Sequence, residues 1–74
     1  MPKLPVLSGR EIIKILSAKG FIIVGRKGSH VRMKKTTVDH VYITIVPNHN
    51  DIPVGTLKSI IRQSGLPENE FRKA

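Results

Sequence analysis

The chain has 74 residues, with 13 Lys and Arg against 5 Asp and Glu, a formal net charge of +8, and neither Cys nor Trp. At that length it buries only about 60% of its unfolded surface, which leaves no room for a two-lobed cofactor enzyme or a large substrate cavity and puts any chemistry on a surface. The missing thiols exclude disulfides, thiolate metal sites and a nucleophilic Cys, and a pI near 10.5 draws the chain toward polyanions.

Charge is unevenly spread. No acid falls between Glu11 and Asp39, an interval that holds Lys14, Lys19, Arg26, Lys27, Arg32, Lys34 and Lys35. Such a run is either a solvated face or a nucleic-acid surface. Residues 1–7 carry no apolar stretch of signal-peptide length, and no window approaches the roughly 18 apolar residues of a membrane span, so a single cytoplasmic domain over residues 1–74 is expected.

Ser8 and Glu11 form a capping box, with Leu7 placed to staple onto Ile12, so a helix begins here. Ile12, Ile15, Leu16 and the Lys19 stem make its apolar face, and Gly20 is its left-handed stop. From Phe21 to Val24 the residues become β-branched or aromatic, which predicts a strand ending at Gly25; Lys27-Gly28-Ser29 makes a turn. His30-Val31-Arg32-Met33-Lys34 alternates, placing Val31 and Met33 inward and His30, Arg32 and Lys34 outward. His40 to Ile45 alternates again, read with Val41, Ile43 and Ile45 inward and His40, Tyr42 and Thr44 outward. Pro47 ends that strand, and Pro47-Asn48-His49-Asn50-Asp51 is a loop. Pro53 then opens, in its first turn, a helix that carries Leu57, Ile60 and Ile61 and closes at Gly65; Leu66 and Phe71 pin a short final turn. The expected architecture is α+β, in the order α-β-β-β-α: a three-stranded antiparallel sheet with two helices on one face and a cationic open face. Both registers of the first strand are apolar, so part of it must stay outward, exposed to solvent or covered by a partner.

Gly28-Ser29-His30 is the stretch with chemical promise. Alternation points His30 away from the core, among Arg26, Lys27, Arg32 and Lys34. An imidazole beside cations suits RNA cleavage: it moves a proton at the 2′-hydroxyl or at the leaving oxygen, while the cations hold the phosphate and its developing charge. Lys27, Gly28, Ser29, Arg32, Lys34 and Lys35 are the candidate RNA contacts. Ser29 reads as a turn or phosphate contact rather than a nucleophile, because no Asp lies nearby to orient a triad. His49 is either a second acid or base or a structural hydrogen-bonding group, and His40 reads as a surface residue. Positions 30, 40 and 49 lack metal-ligand spacing and the acids are scattered, so neither metal nor cofactor is expected.

Ser8-Gly9-Arg10-Glu11, Lys19-Gly20-Phe21, Lys27-Gly28-Ser29-His30, Pro47-Asn48-His49 and the run from Gly55 to Leu66 together resemble the HicA toxins nearly end to end. The resemblance implies a double-stranded-RNA-binding-domain-like fold and an mRNA interferase, a metal-independent ribonuclease toxin that cleaves messenger RNA. It also implies His30 as the catalytic residue and a HicB-type antitoxin covering the active face. Two other readings use the same residues. A non-catalytic RNA-binding module would exploit the basic face without cleavage, and a purely protein-binding domain would show no RNA affinity at moderate salt.

Overall fold

The computed structural model describes residues 4–72. In chain order these form α1 (Gly9–Ala18), β1 (Ile22–Lys27), β2 (His30–Thr36), β3 (Val41–Pro47), α2 (Val54–Ser64) and a 3-10 turn, η1 (Glu68–Phe71). The three strands make one antiparallel sheet in the order β1-β2-β3, confirming the α-β-β-β-α architecture. No helix among the described residues is long and apolar enough to cross a membrane.

Local chemistry explains the element boundaries. Ser8 Oγ accepts from the Glu11 N–H at 3.1 Å and Glu11 Oε1 accepts from the Ser8 N–H at 2.9 Å, which completes the capping box and satisfies two otherwise orphaned donors. Gly65, at φ +70, caps α2 in the left-handed conformation. Pro53 is the N-cap of α2, one residue before the helix rather than in its first turn. Strand β1 starts after Phe21, which is buried, and runs two residues past Gly25.

One core joins the helices, η1 and two of the three strands. Ile12 and Leu16 from α1, Val31 and Met33 from β2, Val46 from β3, Leu57, Ile60 and Ile61 from α2 and Phe71 from η1 pack together between the helices and one sheet face. Leu7 and Ile52 close its edge, joined by a bond from the Ile52 N–H to the Leu7 carbonyl at 2.9 Å.

The facing of β3 is the reverse of the sequence expectation. Thr44 and Val46 are buried, with Tyr42 packed against the core, whereas Val41, Ile43 and Ile45 are about half exposed, at 48%, 47% and 50%. Two contacts with α2 decide the matter. The Thr44 hydroxyl donates to Gln63 Oε1 at 2.8 Å, so its burial leaves no unpaired polar group. The Tyr42 ring lies under Gly65, where an added Cβ would stand 2.4 Å from it. The register agrees, pairing Met33 with Thr44 and Val31 with Val46. In β1, Ile22, Ile23 and Val24 are all exposed, because the ladder slips between Ile23 and Gly25 and no single face of this strand serves the core.

Candidate active site

The site is built on the β1-β2 hairpin. Its turn consists of Gly28 and Ser29 between the paired residues Lys27 and His30. Gly28 has φ +59 and Ser29 does not have positive φ, the pattern of a tight two-residue turn that requires glycine at its first position. His30 therefore begins β2 at a defined point of the sheet. Because Val31 and Met33 are buried, His30, Arg32 and Lys34 stand on the opposite face, which no helix covers.

The cross-strand register supplies their neighbours. Lys27 and Pro47 flank His30, Gly25 and Ile45 flank Arg32, and Ile22 and Ile43 flank Lys34. His30 to Lys34 spans about 13 Å along the strand. A groove of about 520 Å³ lies over the His30 end, lined by Gly25, Arg26, Lys27, His30, Arg32 and Ile45. Gly25 helps keep it open, since no atom lies within 4 Å of where its Cβ would be.

The groove is positive and uncompensated. The ion pairs among the described residues are Lys19 with Glu70, at 2.8 Å, and Arg72 with Glu68, both away from the hairpin. No acid pairs there with Lys27, Arg32 or Lys34, so their charge is available to an anionic ligand.

Lys35 does not join this group. It follows Lys34 and turns to the helix-covered side, where its Nζ stands 6.0 Å from the Phe21 ring centroid and its stem lies along Gly20. His49 approaches the hairpin from the loop after β3, with its Nε2 3.1 Å from Ser29 Oγ. His40 lies at the opposite end of the sheet, its ring 4.4 Å from that of Tyr42. Tyr42 and Thr44, expected on the open face, are replaced there by Val41, Ile43 and Ile45. Sequence reasoning missed Gly25 and Ile45 as groove residues. A glycine inside a strand is a recognised signal of close approach by a ligand, but the sequence reading ends the strand at Gly25 and so loses it.

These elements define a small α-β-β-β-α protein that presents an exposed imidazole among unpaired cations on the bare face of its sheet. A family model described as the HicA toxin of bacterial toxin-antitoxin systems matches residues 9–66, from the first residue of α1 to just beyond α2. The chain belongs to the HicA toxin family, whose members work as toxins alongside an antitoxin partner. Comparison with curated protein sequences gives no match.

Proposed function

We propose that the chain is a ribonuclease toxin that cleaves messenger RNA in the cytoplasm without a metal ion and so arrests translation and growth. The observation that supports this most is the placement of His30, exposed at the mouth of a groove whose other lining residues include Arg26, Lys27 and Arg32. His30 moves a proton at the cleaved ribose and phosphate. Lys27, Arg32 and Lys34 bind phosphates, while Gly28 and Ser29 let the RNA backbone approach the hairpin closely. The attacking oxygen belongs to the RNA, so the protein's tasks are proton transfer and stabilisation of charge on the phosphorus oxygens.

The same face suits a HicB-type antitoxin. Ile22, Ile43 and Ile45 are 63%, 47% and 50% exposed around the cations of β2. A partner that buries these side chains and brings carboxylates to Arg32 and Lys34 gains apolar contact and charge complementarity while blocking His30.

Induced expression of the wild-type chain and of His30→Ala in bacterial cells, with and without a co-expressed HicB-type antitoxin, tests the reading. The wild type alone should stop growth and leave truncated messenger RNA, and the antitoxin should restore both. Equal growth arrest by both forms with messenger RNA intact would sink the proposal and favour a non-catalytic RNA-binding module.

A further inference from the structure

The hairpin turn and the loop after β3 share a side-chain contact that the role of His30 leaves unused. Ser29 Oγ and His49 Nε2 are 3.1 Å apart, and both residues are exposed. Backbone contacts already fix their relative position. The Asn48 N–H donates to the Ser29 carbonyl at 2.7 Å, the Gly9 N–H donates to the His49 carbonyl at 2.8 Å, and His30 pairs with Pro47. Helix α1 presses so closely on this loop that a Cβ on Gly9 would stand 2.2 Å from the Pro47 carbonyl oxygen. An exposed hydroxyl–imidazole bond adds little to a junction held this way. It does place a titratable group behind the hydroxyl of Ser29, the residue that precedes His30 in the hairpin.

Cleavage of RNA by its own 2′-hydroxyl moves two protons. One leaves the 2′-oxygen as it bonds to phosphorus; the other must reach the 5′-oxygen as its bond to phosphorus breaks, giving a 2′,3′-cyclic phosphate and a 5′-hydroxyl. His30 handles one of them. Building on the ribonuclease reading above, we propose that Ser29 and His49 deliver the other. Neutral His30 accepts the proton of the 2′-hydroxyl. The Ser29 hydroxyl gives its proton to the departing 5′-oxygen, and the His49 imidazolium replaces it through Nε2. The step consumes no further reactant, and exchange with water returns both imidazoles to their starting forms. Ser29 touches the substrate, and His49 acts through it as a positioned proton source. The third imidazole, His40, lies at the far end of the sheet and takes no part.

A leaving-group substitution tests this assignment. An RNA oligonucleotide containing a site that the wild type cuts is made with the ordinary bridging 5′-oxygen and with sulfur in its place, because a thiolate departs without a proton. Ser29→Ala and His49→Ala should each slow cleavage of the oxygen substrate about 10²- to 10⁴-fold and return to within about tenfold of wild type on the sulfur substrate. His30→Ala should fail on both, and thermal melting should find all three variants folded. Equal losses on the two substrates in Ser29→Ala and His49→Ala would overturn the proposal in favour of a structural contact. So would rescue of His30→Ala by sulfur, or a wild-type rate for His49→Ala on the oxygen substrate. Failure of the wild type to cut any RNA would remove the ribonuclease reading and this proposal with it.

Discussion

Gly25 and Gly9 carry weight out of proportion to their size, for opposite reasons. Gly25 faces open space opposite Arg32, without positive φ, so a side chain there meets no obstacle and stands in the groove. Gly25→Val should therefore leave the melting temperature near that of the wild type while lowering RNA cleavage at least about tenfold, as an RNA backbone can no longer reach Arg32 and His30 closely. Gly9, the first residue of α1, packs against the Pro47 carbonyl, and Gly9→Ala forces the loop carrying His49 to move. Overpacking of that kind costs about 1–3 kcal/mol, and urea denaturation should read a loss in that range. Unchanged stability in Gly9→Ala would mean that the helix and loop are not in the contact described.

At the scale of the element, β2 was readable and β3 was not. The alternation of His30 to Lys34 has one apolar register, so burial of Val31 and Met33 left no choice about where His30, Arg32 and Lys34 point. In β3, Val46 continues the apolar run out of step with Val41, Ile43 and Ile45, so either register could have faced the helices. The choice fell to α2, which offers Gln63 to Thr44 and room at Gly65 for Tyr42. Long-range partners of this sort leave no trace in local periodicity. A pair of substitutions checks the outcome: Ile43→Lys should change stability by no more than about 1 kcal/mol, whereas Thr44→Lys buries a charge and should cost about 3 kcal/mol or more in the same denaturation experiment. The facing of β2 separates two neighbouring lysines in the same way. Lys34→Ala should weaken RNA binding and make its log–log salt slope shallower by about 0.7 to 0.9, the release of one counterion, while Lys35→Ala, on the helix side beside Phe21, should leave the slope nearly unchanged.

Across the whole molecule, a two-layer design leaves one sheet face out of the core. The helices, η1 and the inward residues of β2 and β3 supply a single core, and the other sheet face is left to cations and to Ile22, Ile43 and Ile45. Ile22, Ile43 and Ile45 stay 63%, 47% and 50% exposed there, and the proposed antitoxin would cover them. The order of elements, the capping box of α1, the Gly65 stop of α2 and the exposure of His30 could be read from the sequence, because each rests on neighbours within a turn or a hairpin. The groove at Gly25 and the meeting of Ser29 with His49 could not, since they depend on a slip in the β1-β2 ladder and on a loop twenty residues away in sequence. Everything proposed for this face depends on RNA cleavage by His30. It is tested most directly by incubating purified wild-type protein and His30→Ala with mixed messenger RNA in EDTA at low salt and following RNA length and the chemistry of the new ends. Fragments ending in 2′,3′-cyclic phosphate and 5′-hydroxyl are expected from the wild type alone, with both proteins folded and both binding RNA. Binding by both with no cleavage by either, or equal cleavage by both, would contradict it.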